Sequence, residues 1–146
     1  MANIKDLLKN LDNSIFSILQ LVGELGEKEN VEVYVVGGFV RDLLMGKSLH
    51  DIDIMVVGEG IPFARKIANS LGIKKIIPFE KFGTALIPNK NIQIEVASAR
   101  KEYYANHSRK PSKVVFTDLK GDLIRRDFTI NAMAINLNPK KFGDFT

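Results

Sequence analysis

Apolar residues recur at helical spacing over the first part of the chain, at Ile4, Leu7, Leu8, Leu11, Ile15, Ile18, Leu19, Val22 and Leu25. These steps of three and four predict an amphipathic helix with one apolar stripe, interrupted or ended near Gly23 and Gly26. Such a helix packs on a sheet or a neighbouring domain and has no chemistry of its own. The period then changes. Val31, Val33, Val35 and Val36 lie in a run of strand formers that stops at Gly37-Gly38. Residues 39–44 predict a short helix with Gly46 as its left-handed end. Residues 51–57 predict a second strand, closed by Gly58. Pro62 opens a helix with Ala64, Ile67, Ala68 and Leu71 on one face and Gly72 at its end.

Three short strands are expected next, over 75–79, 84–87 and 92–97. Residues 101–113 (KEYYANHSRKPSK) are polar and basic, and predict a flexible loop over the sheet face. A helix over 118–126 and a last strand over 132–137 follow. Asn138-Pro139 marks a turn, and the chain stops at Thr146 on aromatic residues with no following helix to cover them. The pattern is that of an α+β domain: one mixed sheet with helices mainly on one side.

Composition narrows the chemistry. The 146 residues are 45% hydrophobic and 26% charged, enough for one folded domain with a real core. There is no cysteine, which excludes disulfides, thiolate zinc sites and cysteine nucleophiles. The formal charge of +4 suits a polyanionic partner without demanding one. The first residues lack the basic flank and apolar run of a signal peptide, and no apolar run reaches membrane-spanning length. No membrane association is therefore expected, and a cytoplasmic setting is the default.

Candidate chemistry centres on acids. Asp51 and Asp53 are two residues apart on an expected strand and so share a face, while Ile52, Ile54 and Val56 take the other. Glu95 sits likewise between Ile94 and Val96. Taken alone, such a pair is more often a solvent-facing strand edge than a metal site. If the two strands pair, three carboxylates come together, and their mutual repulsion calls for a cation between them. Oxygen donors without cysteine point to Mg²⁺ or Mn²⁺ rather than zinc.

The strand before this one ends in Val36-Gly37-Gly38-Phe39-Val40-Arg41-Asp42. Paired glycines let backbone amides approach a phosphate at a helix start, and Arg41, one turn on, can add a bidentate contact. The glycines alone fit a tight strand–helix turn equally well. Beside a cation site the phosphate reading gains strength. Farther on, Arg125-Arg126-Asp127 fits either a helix-ending charge cluster or a nucleotide contact. In the second reading Arg126 meets the nucleotide, Asp127 accepts from a ribose hydroxyl and Asn131 ties the loop down. His50 and His107 read as bystanders.

These residues resemble a known family. VYVVGGFVRDLLMG followed by LHDIDIMVVG is similar to the signature of the polymerase-β-like nucleotidyltransferases, in their bacterial tRNA CCA-adding and poly(A) polymerase branch. FEKFGTA, IEVASARKEYY and DLIRRDFTINAMAIN resemble the next blocks of that branch, in order. The likeness runs from about residue 31 to 138. It implies a catalytic head over 31–146, with residues 1–30 as an N-terminal helix packed on it. Gly37, Gly38 and Arg41 would hold a triphosphate, and Asp51, Asp53 and Glu95 would bind two metal ions. Arg126 and Asp127 would contact the incoming nucleotide. Many relatives have aspartate where this chain has Glu95. The implied activity is template-independent transfer from ATP or CTP to an RNA 3′ end, adding CCA, CC or A to tRNA, with poly(A) synthesis as the alternative. A non-catalytic nucleotide- or RNA-binding module is a third reading, disfavoured by the intact acids. In such enzymes helical neck, body and tail regions follow the head, select the base and grip the tRNA. None is expected within these residues.

Overall fold

The protein is described from a computed structural model, over residues 2–90, 92–104, 111–116 and 133–146. The first helical stretch is two helices, α1 (Lys5–Lys9) and α2 (Asn13–Lys28). The break falls at Asp12, whose carboxylate accepts from the Ser14 backbone N–H at 3.0 Å and caps α2. Contrary to the expectation of a break at the glycines, α2 runs straight through Gly23 and Gly26. Both are there for close packing. A Cβ on Gly23 would lie 1.9 Å from the Leu137 carbonyl oxygen, and one on Gly26 would lie 2.8 Å from Val33 Cγ2.

The chain continues through β2 (Val33–Val36), α3 (Gly38–Leu44), β3 (Asp51–Val56) and α4 (Gly60–Ser70). Gly46 and Gly72 take positive φ, +67° and +73°, where their helices end. Next come β4 (Ile77–Phe79), a 3₁₀ turn at Glu80–Phe82, β5 (Thr84–Ile87) and β6 (Gln93–Ser98). The expected loop over 101–113 is strand at both ends: β7 (Arg100–Tyr104) and β8 (Pro111–Phe116) pair as an antiparallel ribbon. Its polar composition hid it, because it carries no alternating apolar pattern to announce a strand. The helix expected over 118–126 lies outside the described residues. β9 (Ala134–Asn136) and β10 (Asp144–Phe145) close the chain.

Among the described residues eight strands form one mixed sheet, ordered β1-β10-β9-β2-β3-β6-β5-β4, where β1 is Ala2–Asn3. Residues 1–30 are thus more than a packing helix, since β1 pairs antiparallel with β10 and adds an edge to the sheet. The terminal aromatics Phe142 and Phe145 are both half-buried against the main core, and α2 from the other end of the chain meets Phe142. Phe142 meets Phe16 edge-on, with ring centroids 5.9 Å apart.

The main core joins Leu19 and Val22 of α2, Phe39 and Val40 of α3, and Phe63, Ala64 and Ile67 of α4 to Val35, Ile52, Ile54, Ile94 and Val96 of the sheet. The described helices therefore back one face, as the α+β pattern requires. β2 is buried on both faces, because Tyr34 and Val36 join Met55, Ala99 and Ala134 in a second cluster on the other face. A valine run without alternation is what such a strand needs. Asn138 fastens the start of β2, accepting from Val33 N–H and donating to the Val31 carbonyl, both at 2.9 Å. No helix among the described residues is long and apolar enough to cross a membrane.

Candidate active site

β3 and β6 are parallel neighbours, with Asp51 opposite Gln93, Ile52 opposite Ile94, and Asp53 opposite Glu95. Paired residues on adjacent strands share a face, so one strip of sheet carries Asp51, Asp53 and Glu95. Asp51 and Glu95 are exposed and Asp53 is half-buried. Ile52 and Ile94, paired on the reverse face, are fully buried at 0% exposure. That burial locks the register, since a slip by one residue would turn an acid into the core.

What the fold sets is the backbone under each acid. Among the described residues, no three His, Cys, Asp or Glu side chains stand close enough to hold a metal ion as they are placed. In donor chemistry the set fits a hard cation, with oxygens only and no imidazole among them. His50, one residue before Asp51, is exposed at the mouth of the strip.

β2 runs antiparallel to β3 with Val35 opposite Ile54, so the chain leaves β2 alongside the acid-bearing start of β3. It turns there through Gly37, at φ +67° and ψ −137°, a conformation that glycine alone adopts readily. A Cβ on Gly38 would stand 3.2 Å from Arg41 Nη2, so the guanidinium lies against the turn. Arg41 Nε donates to Asp42 Oδ1 at 3.0 Å, which orients the fork. With side chains 38% and 20% exposed, this pair is worth under about 1 kcal/mol and serves direction more than stability. Arg126, Asp127, Asn131 and His107 lie outside the described residues.

On the far side of Glu95 is a cavity of about 460 Å³ lined by Phe79, Phe82, Thr84, Leu86, Gln93 and Glu95. Of these residues, sequence reasoning assigned a role to Glu95 alone; Phe79, Phe82 and Thr84 entered within the FEKFGTA block, with no task of their own. The available signal was a pair of phenylalanines, Phe79 at the end of a short strand and Phe82 in the turn after it, with no helical or alternating pattern to bury them. Another opening, of about 490 Å³, lies by Glu32, Asn136, Asn138 and Lys140, at the end of β2 remote from the acids. It shares no residue with them.

A mixed sheet backed by helices, with acids on paired central strands beside a glycine turn, has the fold of a polymerase-β-like nucleotidyltransferase head. The chain belongs to the Poly A polymerase head domain family, which it matches over residues 33–146. It is 43% identical over 136 residues to the A-adding tRNA nucleotidyltransferase of Geobacter sulfurreducens, covering 92% of this chain and 15% of that protein. A solved CCA-adding enzyme in an apo form superposes with a TM-score of 0.86 at 44% identity, over 99% of this chain and 34% of the other. The Thermotoga maritima CCA-adding enzyme complexed with tRNA gives 0.80 at 41% identity, over 99% and 32%. The chain therefore spans about a third or less of the relatives it matches.

Proposed function

We propose that this chain is the catalytic head of an RNA nucleotidyltransferase that transfers a nucleotide from ATP or CTP to a tRNA 3′ end and releases pyrophosphate. The observation that carries this reading is the register of Asp53 with Glu95, which sets three acids on one strip beside the Gly37-Gly38-Arg41 turn. The names of the relatives support it. Residues 31–146 form the head in this reading, with residues 1–30 packed on it, in a cytoplasmic enzyme.

Each group has a task that follows from its place. The Gly37-Gly38 turn and Arg41 bind the β- and γ-phosphates, by amide N–H groups and a charged fork. Asp51, Asp53 and Glu95 would hold two Mg²⁺ ions, or Mn²⁺, with Asp53, central in the strip, contributing to both. Bound there, such ions supply activation of the RNA 3′-hydroxyl and neutralisation of the leaving pyrophosphate. Arg126 and Asp127 would meet the incoming nucleotide. No side-chain nucleophile is required. Base selection is assigned to parts of the enzyme outside the head, as the resemblance to this family implies.

The test is Mg²⁺-dependent incorporation of labelled ATP and CTP on tRNA lacking its 3′ CCA, by the full-length polypeptide carrying this head. Addition of A, CC or CCA supports the proposal and names the product. A long adenosine tail on unrelated RNA would favour the poly(A) polymerase reading, which the family name makes the second choice. Metal-dependent binding with no incorporation would leave a binding module.

A further inference from the structure

In-line displacement imposes a direction: the attacking hydroxyl and the departing pyrophosphate lie on opposite sides of the α-phosphate. The strand order β2-β3-β6-β5-β4 puts the phosphate-binding turn on the β2 side of the acids. The hydroxyl must then arrive from the β5–β4 side. That side holds the cavity of about 460 Å³, and Glu95 lines it. One cross-strand row links the two: Ile77 opposite Leu86, Leu86 opposite Glu95, and Glu95 opposite Asp53. At about 4.8 Å per strand, Leu86 lies roughly 10 Å from Asp53 across the sheet.

The lining suits one kind of occupant. Phe79 and Phe82 keep 49% and 36% of their surface exposed on the edge of the sheet. Lys81 Nζ stands 5.7 Å from the Phe82 ring centroid, which sets a cation beside the aromatic surface. Aromatic rings next to cations are how proteins hold single-stranded nucleic acid, since every base has a π-face and every link a phosphate. The platform is also anchored. Ser98, 1% exposed, accepts from Gly60 N–H at 2.7 Å and donates its hydroxyl to the Gly83 carbonyl at 3.3 Å. Its backbone N–H donates to the same carbonyl at 3.1 Å. The turn bearing Phe82 is thereby pinned to the start of α4 and the end of β6.

We infer that this groove receives the 3′-terminal nucleotides of the acceptor RNA, with bases stacked on Phe79 and Phe82 and the terminal hydroxyl delivered beside Glu95. The inference rests on the nucleotidyl-transfer reading. The test uses Phe79→Ala and Phe82→Ala in the full-length polypeptide, varying RNA at saturating nucleotide and nucleotide at saturating RNA. The RNA KM should rise about tenfold per ring removed, with the nucleotide KM unchanged. Phe→Trp at either position should restore it. Quenching of a 2-aminopurine placed at the acceptor 3′ end should be lost in the alanine variants. Both rings are partly exposed, so the variants should melt as the parent does. An unchanged RNA KM overturns the inference. A rise in nucleotide KM instead would assign the groove to the incoming base and overturn it equally. Asp53→Asn separates the two levels. If the parent adds nucleotides, Asp53→Asn does not, and the phenylalanine variants behave as the parent, the groove fails and the transfer reading stands. If the parent adds none, or Asp53→Asn stays active, the transfer reading falls and takes the groove with it.

Discussion

Gly23→Ala pits local propensity against packing. Gly23 lies inside α2, where alanine is better than glycine by about 1 kcal/mol in an isolated helix. On propensity alone the variant should be more stable. The tertiary structure reverses the sign. The new Cβ would lie 1.9 Å from the Leu137 carbonyl oxygen and 2.9 Å from its carbon, the first more than 1 Å inside the closest approach that real Cβ atoms make. Neither neighbour can swing away, because both are backbone, and Leu137 N–H is itself bound to the Val33 carbonyl at 2.9 Å. Relief therefore requires α2 to lift off the end of β9 and loosen Leu19 and Val22, both fully buried. Overpacking of this kind costs about 1–3 kcal/mol net. For a domain of this size that corresponds to a fall in Tm of roughly 3–10 °C. Thermal melts followed by circular dichroism measure it, with Ser17→Ala on the exposed face of α2 as the control for propensity alone. An unchanged or raised Tm for Gly23→Ala would refute the packing argument.

Three further outcomes are expected. Asp51→Ala should abolish nucleotide addition and Mg²⁺-dependent ATP binding while leaving the metal-free Tm unchanged or slightly raised, because it relieves repulsion with neighbouring acids; retained activity in a filter assay would remove Asp51 from the site. Gly38→Ala should displace Arg41, whose Nη2 would stand 3.2 Å from the new Cβ, and raise the nucleotide KM several-fold without changing the RNA KM. Asp12→Ala should lower Tm at neutral pH by removing the cap of α2, and Asp12→Asn should retain most of it. The Asp12 carboxyl is held below its ordinary 3.8, first by the Ser14 backbone N–H and then by the Ser14 hydroxyl. Its contribution is therefore fully present above pH 3.8 and fades as pH falls through the lowered value, so the Tm gap between parent and Asp12→Ala should close in acid.

Much of this protein is written locally. The alternation in Asp51-Ile52-Asp53-Ile54 requires one acidic and one apolar face, and the same holds for Ile94-Glu95-Val96, so the faces of β3 and β6 are legible in the amino-acid order alone. The turn at Gly37-Gly38 and the helix ends at Gly46 and Gly72 are legible for a related reason. Their backbone conformations are ones that other residues resist.

Pairing is not local. That β3 lies parallel to β6, with Asp53 opposite Glu95, depends on α4 and the β4–β5 hairpin between them and on which apolar faces they share. That β1 joins β10 brings Ala2 opposite Phe145, a contact between chain ends that no periodicity can announce. Gly23 and Gly26 looked like helix breakers because propensity counts only the helix they sit in. The partner that explains Gly23, a carbonyl on Leu137, comes from the far end of the chain. The groove at Phe79 and Phe82 has the same origin: two phenylalanines become a platform beside the acids only once β5 sets Leu86 against Glu95. Sequence determined the conformations and faces, whose energetics are short-range. The tertiary structure decided which faces meet, because that depends on burying all of them at once.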